Sequence, residues 1–206
     1  GSYVYGSRDG HHAGPHAVTA TVKDGVATQY VYDNNGNLVS DTTADGGRQL
    51  VYSSFDKPIQ ITKGNHQIDF AYGPNRSRIK RIDRNAQNQK IEKTTLYMGG
   101  LERTTFADGR VEYKRTLDGN VLITDTLTAG QSERRSVIQY LIKDHLGSNS
   151  VVLNHNSAEH AGHIVAADLS FTAWGQRREA QDWQAMSNMQ LMGFDNSTTN
   201  RGFTGH

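Results

Sequence analysis

The chain has no cysteine, only three prolines, no long apolar run and almost no net charge, and each absence removes a class of explanation. Without cysteine there are no disulfide staples, no thiolate nucleophile and no cysteine-ligated zinc, so stability rests on packing and hydrogen bonding. Lys and Arg number 22 against 21 Asp and Glu, and a formal charge of +1 offers no overall field to draw nucleic acid. No stretch approaches the ~18 apolar residues of a membrane helix, and no charged-then-apolar leader opens the chain. The expectation is a protein with no membrane span and no signal peptide of its own. Hydrophobic residues are 35%, aromatics 8% and mean hydropathy is −0.68. That is lean for a thick two-layer core and sufficient for a long sheet with one apolar face.

What is present is glycine, 21 residues of it, and a period. Tyr32, Tyr52 and Tyr72 stand on a twenty-residue ladder, each with a second aromatic close by at Tyr30, Phe55 and Phe70. Tyr30 to Val39 reads as a strand, a polar turn at Asn34 to Gly36 and a returning apolar pair, which is a hairpin. Leu50 to Ile61 and Phe70 to Arg81 repeat the plan with altered turns. Asp108-Gly109 and Asp118-Gly119 sit between apolar pairs as further hairpin turns, and Val137 to Leu153 makes another strand pair around Lys143 to Asn149. The fold class is therefore all-β, built of antiparallel hairpin repeats. Each hairpin is marginal alone, so stacked units bury one another's aromatic rows, with Tyr32, Tyr52 and Tyr72 expected as neighbours on one face. Asn154 to Gly162 reads as a loop. Only Glu179 to Met192, with Trp183, Met186, Met189 and Met192 at three-residue steps, has any helical character, and it reads as an irregular insertion or one helical turn packing on the sheet rather than a cofactor or partner groove.

Candidate chemistry is scarce. His155, His160 and His163 are spaced as neither a His-x-x-x-His pair nor the Glu-bearing zinc motif, and they read as solvated loop histidines. His11, His12 and His16 belong to a Gly- and His-rich opening loop. Asp144, His145 and Ser148 supply the residue types of a triad, but neighbours along a tight turn point apart. Asp144 is instead expected to accept backbone N–H bonds, with Gly147 supplying φ > 0, and Asp33, Asp56 and Asp118 are expected to form turns likewise. The basic run Arg76 to Arg81 alternates with small and apolar residues as a solvated strand face does. No residue is nominated as catalytic, metal-ligating or cofactor-binding.

Five segments carry a resemblance to the Rhs and YD-repeat family of bacterial toxin-carrying proteins. Gly14-Pro15-His16-Ala17-Val18 resembles the family's Gly-Pro-His segment, and Tyr32-Asp33-Asn34-Asn35-Gly36-Asn37-Leu38 its Tyr-Asp-x-x-Gly-Asn-Leu unit. Asp144-His145-Leu146-Gly147-Ser148 resembles the Asp-His-Leu-Gly-Ser signature of the Rhs-associated core. Phe171 to Arg177 stands where the family places Tyr-x-Pro-Phe-Gly-x-x-Arg, with Trp174 as the aromatic, Gly175 as the glycine and no proline. Arg201-Gly202-Phe203-Thr204-Gly205-His206 is similar to the Arg-Phe-Thr-Gly-His block.

The resemblance implies a curved YD-repeat strip that forms part of a hollow Rhs shell. One β domain over residues 1–206 is expected, with an opening segment at 1–18, YD-type hairpins at 19–136 and a core-associated segment at 137–206, as a fragment of a longer shell. Gly1-Ser2 reads as a cloning remnant. The implied function is structural and non-catalytic: enclosing a C-terminal toxin delivered by a bacterial secretion or toxin-complex system against other bacteria or host cells. The family's aspartyl autoprotease segment would follow His206, so no enzyme activity is expected, and no cofactor. The implied partners are the rest of the shell, its toxin and a secretion-machinery or cell-surface partner, with self-association through open edge strands. The alternative reading is a carbohydrate- or cell-surface-binding module that uses exposed aromatics and basic strand faces.

Overall fold

The structure is a computed structural model that describes residues 1–6, 13–23, 25–43, 46–172, 175, 177–184 and 186. Its strands run β1 (Ser2–Tyr5), β2 (Val18–Lys23), β3 (Val26–Tyr32), β4 (Leu38–Asp41), β5 (Arg48–Tyr52), β6 (Pro58–Lys63), β7 (His66–Tyr72) and β8 (Arg78–Asn85). They continue with β9 (Ile91–Met98), β10 (Leu101–Phe106), β11 (Val111–Leu117), β12 (Val121–Leu127), β13 (Arg134–Lys143), β14 (Asn149–Asn154) and β15 (Val165–Asp168). These form one 15-stranded antiparallel sheet in strict sequence order, and β16 (Ser170–Phe171) with β17 (Arg177–Arg178) makes a separate two-stranded ladder. Short connections make each strand's nearest partner the next one along the chain, so closing each hairpin orders few residues. The expected turns at Asn34 to Gly36, Asp108-Gly109 and Asp118-Gly119 are all present.

The chain divides into two compact units, Gly1–Met98 with Thr104–Gly109 and Gly99–Arg103 with Arg110–His206. In the first, register sets Leu50, Ile61 and Ile68 in one row across β5, β6 and β7. Ala13 is the one buried apolar residue of this unit among those described, while Thr19, Asp41, Asp83 and Thr95 are buried as well. Buried charges need partners, and they have them. Asp41 accepts from the Arg48 Nε at 2.6 Å and backbone N at 3.0 Å, and Asp83 takes both arms of Arg81 at 2.9 and 2.5 Å. Arg81 and Asp83 lie two apart on a strand and so share a face. The basic run is thus half-paired: Arg78 stacks on Phe70 at 4.2 Å and Arg76 on Phe55 at 5.5 Å.

The second unit contains an apolar core. Leu122, Leu141, Val152, Ala167 and Leu169 form it, with Ala166 and Phe171 packed against it. Leu141, Val152 and Ala167 are direct cross-strand neighbours through β13, β14 and β15. The alternate residues Tyr140 and Ile142 face the other way and are exposed.

One expectation is corrected. The one helical turn among the described residues is a 3-10 turn at Ser157–His160, inside the stretch expected as a loop, capped by Asn156, whose side chain accepts from Ala158 N. In Glu179 to Met192 the described residues form an irregular turn, one of the two forms expected there: Trp183 has φ 62° and is 68% exposed, and the Glu179 and Gln184 backbones bond across it. Met189 and Met192 lie outside the described residues.

Candidate functional site: the repeated tyrosine and turn

Tyr32, Tyr52 and Tyr72 each end a strand at a register shift, after Val31, Val51 and Ala71 respectively. A bulge of this kind lets a short turn close while one strand carries an extra residue. The turns that follow share one plan. The Asp33, Ser53 and Gly73 N–H groups donate to the Asn37, Lys57 and Ser77 carbonyls at 2.9 Å, and the Gly36, Asp56 and Arg76 N–H groups donate back to Asp33, Ser53 and Gly73 at 3.0, 3.1 and 2.9 Å. The corner residues Gly36, Asp56 and Arg76 all have positive φ, at 84°, 59° and 59°. Glycine takes this geometry freely, and Asp and Arg hold it at a cost of about 1–2 kcal/mol.

The same turn recurs in the second unit at Asp144 to Ser148. Asp144 N donates to Ser148 O at 2.9 Å, Gly147 N to Asp144 O at 3.0 Å, and Gly147 has φ 82°. The β13–β14 register shifts between Ile142 and Lys143, so Lys143 stands where the tyrosine stands elsewhere. Asp33 Oδ1 accepts the Asn35 and Asn37 N–H groups at 3.0 and 2.8 Å, and Asp144 Oδ1 accepts those of Leu146 and Ser148, both at 2.8 Å. The Asp33 carboxyl is held below its usual range first by the Asn37 side-chain amide and then by those backbone donors. Burial pushes the Asp144 carboxyl up, but the Ser148 and Leu146 N–H bonds outweigh it and hold the group below the usual range.

The tyrosines reach backward. Tyr32 donates its hydroxyl to Val18 O at 2.8 Å and Tyr72 to Pro58 O at 2.7 Å, each fourteen residues upstream. Burial raises the Tyr52 hydroxyl above its ordinary value, and the Asp33 carboxylate raises it further; burial and then Tyr30 do the same for Tyr32. Among the described residues the three tyrosines share no ring contact, which corrects the expectation of a tyrosine stack. Phe55 fills that part for Tyr72, edge-on at 5.7 Å, and Lys57 lies 5.6 Å from the same ring. Twenty residues separate equivalent positions along the chain but also two strands across the sheet, roughly 10 Å, which is too far for rings to touch.

Successive turns are tied to one another. Asp56 Oδ1 accepts from Asn35 Nδ2 at 3.1 Å and Asn37 Nδ2 at 2.8 Å, and Lys57 Nζ donates to Arg76 O at 2.9 Å. Asp56 was legible as a turn former, but its cross-turn bonds were not. Its signal was the period itself, since Gly36, Asp56 and Arg76 repeat every twenty residues just as the tyrosines do.

His145 and Leu146 are exposed at the turn tip, and Asp144 spends its carboxylate on the turn's own Leu146 and Ser148 donors. Gly175 has φ 78° and donates to Thr172 O at 3.0 Å. Trp174, Arg201, Phe203, Gly205 and His206 lie outside the described residues. Among the described residues no three His, Cys, Asp or Glu side chains gather as metal ligands, and no helix is long and apolar enough to cross a membrane. His155 bonds Tyr140 through Nδ1 at 2.7 Å.

No family model and no curated protein matches the chain. Solved structures do. The crystal structure of TcdB2-TccC3 without hypervariable C-terminal region aligns with 87% of the chain at 11% identity and a TM-score of 0.52. That of TcdB2-TccC3-Cdc42 aligns over the same share at 11% identity and a TM-score of 0.53. The chain shares its fold with part of TcdB2-TccC3. It spans 11% of the length of each of those chains, and at this identity the likeness carries the Tc/Rhs-like, all-β fold alone.

Proposed function

We propose that this chain is a non-catalytic wall segment of an Rhs-like shell that encloses a C-terminal toxin until delivery outside the producing cell. The observation that carries the reading is the sheet itself. Fifteen strands pair in sequence order, and equivalent turns are bonded to their neighbours, a plan that extends by repetition and needs no closed core. Likeness to a part of TcdB2-TccC3 supports it. A wall of this kind acts by excluding solvent and other proteins from its contents, so its chemistry is hydrogen bonding and packing alone. Its partners are then the remainder of the shell and the enclosed domain. Among the described residues β1 pairs with β2 alone and carries Tyr3 and Tyr5, each 56% exposed, a surface suited to contact with the rest of the shell.

Electron microscopy of the longer protein that contains this chain tests the reading: a hollow particle with internal density supports it, and an extended or solid particle overturns it. Light scattering on the isolated chain tests the β1 surface, where concentration-dependent association is expected and a monodisperse monomer counts against it.

A further inference from the structure

One feature of the second unit takes no part in the wall reading and stands independently of it. A solvent-open groove of about 690 Å³ lies on the sheet, lined from β11 by Glu112 and Lys114, from β12 by Thr124 and Thr126, and from β13 by Arg135, Val137 and Gln139. Its volume falls within the roughly 300–1,000 Å³ of ligand pockets. Register builds its floor row by row. Glu112, Thr126 and Arg135 are direct cross-strand neighbours, as are Lys114, Thr124 and Val137, and the buried amides of Gln139 and Asn154 close the next row, bonded to each other at 3.1 Å.

The groove is unevenly satisfied. Glu112 is held by Arg110 and by Lys114, the latter at 3.8 Å, and is 12% exposed. Among the described residues, the Arg135 guanidinium and the hydroxyls of Thr124, Thr126 and Thr128 have no partner within the protein. Among the described residues the lining carries three cations, Arg110, Lys114 and Arg135, against one carboxylate. An unpaired guanidinium beside a row of free hydroxyls suits carboxylates, which accept from both. Val137, Val165 and Ala166 add a small apolar wall. Among the described residues the lining contains no Tyr, Trp or Phe, so they offer no ring on which a sugar could stack.

We propose that this groove binds an extended acidic peptide segment, its carboxylates on Arg135 and the threonine row and small apolar side chains against Val137 and Val165. The preference over a sulfated glycan follows from the missing aromatic platform and the apolar wall. The order of the rows sets the direction of charge, with the cationic end at Arg110 and Arg135 and the amide end at Asn154.

Fluorescence anisotropy on the whole chain tests it, with labelled short peptides of alternating glutamate and alanine, of alternating lysine and alanine, and with a labelled heparin fragment. The acidic peptide is expected to bind and the basic one not to. Raising salt from about 0.1 M to about 1 M, which shortens the screening length from about 10 Å to about 3 Å, is expected to weaken binding severalfold. Arg135→Glu, a change at an exposed residue, is expected to weaken it by at least roughly tenfold by turning an attractive contact repulsive; Thr126→Val is expected to weaken it less. Circular dichroism on both variants confirms that the fold persists. Equal binding of acidic and basic peptides, an unchanged affinity in Arg135→Glu, or tighter binding of the heparin fragment than of the acidic peptide each overturns the proposal.

Discussion

The two units of this sheet are held together by different means. The second has a cluster of buried aliphatic side chains, Leu122, Leu141, Val152, Ala167 and Leu169. The first has Ala13 as its one buried apolar residue among those described, and relies on ladder hydrogen bonds, half-buried tyrosines and bonds from turn to turn; paired buried carboxylates are common to both, as Asp41 and Asp83 in the first and Asp125 in the second. Both use the same turn, at Asp33 to Asn37 and at Asp144 to Ser148. A regular hairpin sheet can therefore be stabilised through repetition in one stretch and through core packing in the next, without a change of local plan. Local turn chemistry sets the hairpin, and the surroundings decide how the sheet face is satisfied.

Breaking that contrast begins with the core. Leu122→Ala removes a side chain that is 3% exposed, and a loss of about 3 kcal/mol is expected in denaturant unfolding. A loss under ~0.5 kcal/mol, the scale of a surface site, would show that the second unit does not depend on its aliphatic cluster. In the first unit the largest single effect is expected at Tyr52→Ala. Tyr52 is half-buried, so the cost is about 2 kcal/mol, below the 3–5 kcal/mol of a fully enclosed aromatic. A cost equal to or above that of Leu122→Ala would reverse the ranking of the two units.

The shared turn sharpens the comparison. Gly36 and Gly147 have φ 84° and 82°, and a Cβ at either would meet nothing within 4 Å. Gly36→Ala and Gly147→Ala should therefore each cost about 1–2 kcal/mol through backbone strain alone. Equal costs are expected, measured by thermal unfolding; a large inequality would mean that the turn is set by its surroundings and not by its own geometry.

The smallest effect is read against pH. The Asp33 carboxyl is held below its usual value by its amide donors, so its contribution is fully present above the unfolded carboxyl value near 3.9 and is lost as pH falls through the lower folded value. Asn at this position still offers a side-chain carbonyl to the same N–H groups. Asp33→Asn is thus expected to keep the turn but flatten the fall of melting temperature below about pH 4. An acid limb as steep as in the unchanged chain would assign the acid sensitivity to Asp41 or Asp144, both also held low.

How much of this was legible follows from the range of each interaction. The turns could be read residue by residue because their bonds close within five consecutive positions: Asp33 to Asn37 and Asp144 to Ser148 carry donor, acceptor and positive-φ glycine in one short string. Alternation likewise marked strands and their pairing order. It did not mark which face would be covered. Val51, Ile79 and Ile142 alternate as faithfully as Leu122, Leu141 and Val152, yet the first three are exposed and the last three are core.

The sequence by itself therefore determined the all-β class, the hairpin turns and the twenty-residue period, since these depend on backbone preference and on neighbours along the chain. The tertiary structure alone decided the rest. Asp56 meets Asn35 and Asn37, Tyr72 meets Phe55 instead of another ladder tyrosine, and Arg135 comes beside Thr126 above a groove, because strand pairing brings together residues nine to twenty-one positions apart. A period-2 pattern distinguishes two faces of a strand, but only the packed sheet selects the one withdrawn from water.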